Sequence, residues 1–220
     1  MTVITRTCAV LLFAAVIPLR AQDNYEIQVY GSDTVAKDAT MVELHSNYSS
    51  ESQTHLTLEV THGFAKWFET GSYLFYDASD GQIAGWHVRP RVRVPAEWNW
   101  PVGVSLSGEI GYIKKEFADE TWTWEIRPII DKEIGRWYIS FNPAFQNHFE
   151  FEPALNVKYD VTPKIAAGIE YYGSDSEQQF FPAIDLNVSP EWEFNAAVGY
   201  VHRRDNDGWL VKMIVGRRFR

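Results

Sequence analysis

Arg89, Arg91 and Arg93 occupy alternate positions in Trp86-His87-Val88-Arg89-Pro90-Arg91-Val92-Arg93-Val94. Glu125 and Arg127 do the same further along, and Glu109 falls in the run between. Side chains two apart share one face of an extended strand, so these six residues set a basic stripe beside carboxylates. Charges arranged this way select ions where they line a pore. In a barrel too narrow to be empty, the same charges would instead form internal ion pairs that fill and stiffen it. His87, Ser107 and Glu109 offer a second chemistry, because on adjacent strands they would bring together the imidazole, hydroxyl and carboxylate of a nucleophilic hydrolase. They belong to the polar face, however, and a lipid-cleaving site has to open toward lipid. No Gly-x-Ser-x-Gly or His-x-Ser-x-Gly stretch accompanies them, so no catalytic residue is assigned.

The remaining chemistry is sparse. His45, His55, His62 and His148 read as residues near loops or strand ends, and no His-x-x-x-His spacing occurs. Neither a metal nor a cofactor is expected. There is no Gly-rich phosphate loop, no Walker-type lysine and no heptad. The 220 residues carry 20 basic and 29 acidic side chains, a formal charge of −9, which makes nucleic acid a poor partner. Aromatics reach 15%, with nine Trp, and exclude a disordered chain. The mean hydropathy of −0.27 excludes a bundle of membrane helices but not a membrane barrel, where only alternate residues meet lipid.

Residues 1–21 read as a secretory signal. Arg6 precedes an apolar stretch from Cys8 to Leu19, and Ala21 is the small residue before the cleavage point. The mature chain would then hold no cysteine and 18 basic against 29 acidic residues, a charge of −11. Residues 22–39 fit a periplasmic segment, a short extra strand or a plug. The barrel itself is assigned to residues 40–219.

Alternation at period two, broken by turn residues every ~8–12 positions, marks an all-β chain. Twelve runs are expected, at 40–48, 54–62, 68–77, 83–94, 102–113, 121–131, 136–146, 149–159, 165–174, 178–188, 192–202 and 208–219. They are long for soluble strands and suit tilted membrane strands of ~9–11 residues. An even count places both ends of the barrel on the periplasmic side. The connections fall into two chemical sets: one rich in Pro and Trp, the other polar and charged.

A soluble ligand-binding barrel would also alternate, with its faces inverted. The aromatic residues favour the membrane. Trp67, Trp98, Trp100, Trp137 and Trp192 lie at the turn ends of their runs, and Trp86, Trp122 and Trp209 at the loop ends. Two belts of amphipathic rings match the two bilayer interfaces. Trp124 alone falls between them.

The chain closes on Trp209-Leu210-Val211-Lys212-Met213-Ile214-Val215-Gly216-Arg217-Arg218-Phe219-Arg220. This resembles the C-terminal strand of bacterial outer-membrane β-barrels, with Phe219 in the terminal aromatic position and Arg217 and Arg220 departing from the pattern. Gly63-Phe64-Ala65-Lys66-Trp67-Phe68-Glu69 looks like the Gly-aromatic turns of small barrels grouped as phenol meta-pathway transporter-like. That resemblance implies an up-and-down antiparallel barrel in the outer membrane of a Gram-negative bacterium. It also implies outer-membrane lipid as surroundings, Phe219 as the signal to the barrel-assembly machinery, and passive transport of small polar or aromatic solutes. A filled structural barrel and a lipid-modifying enzyme are the alternatives.

Overall fold

In the computed structural model, residues 25–118, 120–204 and 206–220 are described. The signal assigned to residues 1–21 lies outside them. Twelve antiparallel strands close into one barrel in simple meander order. They are β1 (Thr40–Ser49), β2 (Thr54–Ala65), β3 (Phe68–Asp77), β4 (Gln82–Arg93), β5 (Gly103–Ile113) and β6 (Trp122–Ile134), followed by β7 (Trp137–Gln146), β8 (Glu150–Thr162), β9 (Ile165–Gly173), β10 (Glu177–Asn187), β11 (Trp192–Arg203) and β12 (Gly208–Phe219). Every expected run finds its strand, within a few residues at each end. Ten rungs, from Thr40 opposite Phe219 to Ser49 opposite Leu210, join β1 to β12. Closure leaves no free sheet edge, the condition for placing strands in hydrocarbon.

Burial alternates along most of the strand length, and the outward face is mainly apolar while the inward one is mainly polar. Leu44, Val60, Leu106, Ile110, Ile130 and Val198 point outward, while Glu59, Glu69, Arg89, Arg91, Asn142, Asn156, Glu170 and Lys212 are buried. A soluble barrel would do the reverse. An apolar outer surface of this extent is an aggregation surface in water and a matched one in lipid. Among the described residues no helix is long and apolar enough to cross a membrane.

The turns follow from their residues. Gly135, at φ 65°, sits in the two-residue link between β6 and β7, where a left-handed conformation matches the twist of the flanking strands. The longest link at that end runs from Val94 to Val102 through a single 3-10 turn, Ala96–Trp98. The eight belt tryptophans all lie on the outer face near strand ends, 38% to 62% exposed. Trp124 corrects the sequence reading: it is the third residue of β6 and packs edge-on against Phe149 in the next loop, 5.4 Å between ring centres, so it sits with the loop-end aromatics. Arg217 points outward as well, and its guanidinium lies over the rings of Trp192 (5.1 Å) and Phe219 (4.8 Å). The charge that breaks the C-terminal pattern is thereby held by two outward-facing aromatic rings.

Candidate functional site

The lumen holds the charged residues, and residues 25–38 run through it. This segment forms no strand beyond one bridge, between Lys37 and Gly63. Its backbone groups must therefore find side-chain partners, since buried ones left unpaired are costly. The lumenal face provides them. Thr57 and Asn47 donate to the Tyr25 carbonyl (2.7 and 3.2 Å), and Lys212 donates to that of Ile27 (3.0 Å). The Tyr30 N–H donates to Asn142 (2.7 Å), whose amide and the Ser140 hydroxyl donate back to the Tyr30 carbonyl (3.0 and 2.5 Å). Ser32 donates from both backbone and hydroxyl to Asp131 (2.7 and 2.8 Å). Gly103 makes room for this contact, because a Cβ there would lie 2.2 Å from the Ser32 hydroxyl.

Tyr25 lies beside Asp77 and Phe75 at the loop end, while Lys37 and Asp38 meet Gly63 at the turn end. The segment thus spans the lumen lengthwise. The ends of the barrel proper, Thr40 and Phe219, pair at the turn end.

The arginine stripe is not a free positive surface. Arg89 pairs with Glu59 and with Glu69 (3.4 Å). Arg91 reaches Glu69 (3.5 Å) and the carbonyls of Gly31 and Asp33 (3.5 and 3.4 Å). Arg93 pairs with Asp33 (2.6 Å), and Arg127 with Glu125 (2.6 Å). Three of these guanidinium groups surround the Tyr30 ring: Arg91 at 4.4 Å, Arg89 at 4.8 Å and Arg127 at 5.1 Å. Gly71, opposite Arg89 in the ladder, leaves the space through which Arg89 crosses to Glu59; a Cβ there would come 3.3 Å from its guanidinium.

The other side of the lumen is organised by two lysines that sequence reasoning did not single out in this role. Lys212 pairs with Glu170 and donates to the Tyr172 hydroxyl (3.1 Å). Lys158 bridges Glu170 (2.9 Å) and Asp185 (2.6 Å). Lys212 was legible, since the outward register of Val211 and Met213 leaves it facing in.

The remaining lumenal carboxylates tip the balance. Among the described residues, Glu26, Glu43 and Glu152 have no basic group within 4 Å. The basic stripe is therefore spent on internal ion pairs: the arginines are consumed in pairs, and the carboxylates exceed them.

His87, Ser107 and Glu109 come only partly together. His87 Nδ1 lies 3.3 Å from Glu109, but its Nε2 faces the Thr123 hydroxyl at 2.7 Å. Ser107 stands opposite Arg91 with its hydroxyl buried and making no hydrogen bond among the described residues. The Ser–His contact a nucleophile requires is not formed. His45 also departs from its expected place: it lies in the middle of β1, only 1% exposed.

Open space remains around the segment. Near the turn end, a cavity of about 220 Å³ is lined by Glu43, Lys158, Asp185, Glu193 and Asn195. A second of about 220 Å³ lies across the segment from it, against Glu69, Arg91 and Arg218. Toward the loops, a cavity of about 100 Å³ is bounded by Tyr25, Glu26, Phe75, Ile113 and Trp124.

Solved structures share this architecture. The COG4313 outer membrane channel from Pseudomonas putida F1 superposes with a TM-score of 0.65 at 10% identity, over 88% of this chain and 100% of that one. The KdgM porin, solved with disordered oligogalacturonate, gives 0.61 at 12% identity, over 82% and 99%. The NanC porin gives 0.60 at 8% identity, over 80% and 98%. The fold is that of the twelve-stranded outer-membrane porins. No protein-family model matches the sequence, and no curated protein does. At these identities the likeness is one of porin architecture, held by strand number, closure and outward apolar faces rather than by shared side chains.

Proposed function

We propose that the chain is a passive channel of the Gram-negative outer membrane for small polar solutes, with residues 25–38 as its constriction and cations preferred over anions. The observation that carries this reading is the lumen: polar along its length, threaded by one segment, with cavities at both ends of that segment. A barrel of this size lies between the eight-stranded ones that side chains fill and the sixteen-stranded ones that stay open. The inserted segment takes up the difference. The aromatic wall at the loop-end cavity suits ring-bearing solutes at the mouth. Oligogalacturonate, the ligand of the KdgM porin, is a polyanion; the carboxylate excess here suits the opposite charge. The reading is non-enzymatic, because Ser107 has no base.

Cation preference is expected in the reversal potential of the folded chain across a tenfold KCl gradient. Potassium should permeate more readily than chloride, and Glu26→Gln with Glu152→Gln should move the ratio toward unity. A chloride preference would overturn the assignment.

A further inference from the structure

Glu43 and His45 share the inward face of β1, and the ladder sets Glu43 directly opposite Glu59 of β2. Like charges facing across one rung are destabilising. Arg89 and Arg91 do not relieve this rung, because between them they balance Glu59 and Glu69. Glu43 has no basic group within 4 Å among the described residues, yet it is only 8% exposed. His45 beside it is 1% exposed, and neither ring nitrogen makes a hydrogen bond among the described residues. Its Nε2 lies 3.5 Å from the Glu59 Oε2, which is likewise without a hydrogen bond. Buried polar atoms left this way are uncommon and ask for an explanation.

We propose that Glu43, His45 and Glu59 form a binding site for a divalent transition-metal ion, with Zn²⁺ the best match. One donor atom from each lies within 4.8 Å of the other two. An imidazole and two carboxylates are a donor set zinc accepts, at about 2.0–2.2 Å per bond, so small side-chain rotations close the triangle. The ion cancels the charge of the two facing carboxylates and replaces the long 3.5 Å contact between His45 and Glu59 with direct ligand bonds. The other Glu59 oxygen is held by Arg89 and by the Thr61 hydroxyl (2.6 Å), the kind of outer contact that orients a ligand. Glu43 lines both turn-end cavities, which provides a way in and leaves the fourth position for water. Helical ligand spacings do not reveal such a site. On a strand the spacing is Glu-x-His, with the third donor from the neighbouring strand.

The test is calorimetric titration of ZnCl₂ into the chelator-stripped, folded chain in detergent at neutral pH. One saturable site is expected, weakened at least 100-fold by His45→Gln, and zinc should raise the unfolding midpoint of the unaltered chain. His202→Gln serves as the control, since His202 sits with Asp207 in an exposed pair, and it should leave the site unchanged. Glu43→Gln covers the event that the His45 variant does not fold: it removes the facing charge, and should raise the metal-free unfolding midpoint while abolishing the zinc-induced rise. Absence of a one-to-one site in the unaltered chain would overturn the proposal. So would equal affinity in His45→Gln, or a zinc-induced rise that survives in Glu43→Gln.

Discussion

Deleting residues 25–38 should raise single-channel conductance at least about threefold, because the segment occupies the lumen that twelve strands would otherwise leave partly open. The barrel is expected to survive the deletion. Its outward apolar face, its closing β1–β12 ladder and the pairs between Arg89 and Glu59 and between Lys212 and Glu170 do not involve the segment. The side chains that lose it, among them Asn142, Ser140 and Asp131, become accessible to water rather than buried without partners. Unboiled gel mobility reports whether the variant folds, and planar-bilayer recording gives the step size. Tyr30→Ala should give a smaller increase in the same direction, since it removes the ring gripped by Arg89, Arg91 and Arg127. Unchanged conductance in a folded deletion variant would show that the segment does not limit flow.

Period two exposed the barrel in the sequence because each strand has one face in a single environment. Val104, Leu106, Ile110 and Tyr112 against Ser105, Ser107, Glu109 and Gly111 mark a strand with one apolar and one polar face. The segment was not legible in the same way. Tyr25, Ile27 and Val29 alternate with Glu26 and Gln28 as a short strand would, but the contacts of the segment come from all round the lumen rather than from one face. Its backbone is satisfied by distant side chains such as Asn142 and Lys212, which no local pattern announces. Strands facing its apolar residues lose their contrast for the same reason. In the second half of β3, Tyr73 and Phe75 point in while Leu74 and Tyr76 point out, because Tyr25 fills the lumen against Phe75. In β10, Phe181 is buried on Tyr172 (5.6 Å) while Phe180 faces out. The inward arginines were legible, but their neutralisation was not. Glu59 and Glu69 lie on other strands, and only the register brings them to Arg89.

Arg89→Ala should be the most damaging single substitution in the lumen, lowering stability by about 3–5 kcal/mol, the usual cost of removing one partner from a buried ion pair. Arg89 is 2% exposed, and its loss leaves Glu59 without a basic partner within 4 Å other than the His45 imidazole. Glu69 would keep only Arg91. The cation–π contacts with Tyr30 and Tyr73 go as well. Reversible urea unfolding in lipid vesicles gives the number directly. Arg93→Ala is the contrasting case: its partner Asp33 is 85% exposed, so the loss should stay below about 1 kcal/mol, as for exposed pairs. Equal effects from the two substitutions would mean that the Arg89 network is not the structural centre of the lumen.

The most direct measurement is the current through the folded chain in a planar bilayer, recorded beside that of the 25–38 deletion. The expected result is small discrete steps from the full chain and larger ones from the deletion, both carried mainly by cations. Insertion of both forms without current would contradict the channel and leave a filled barrel in its place.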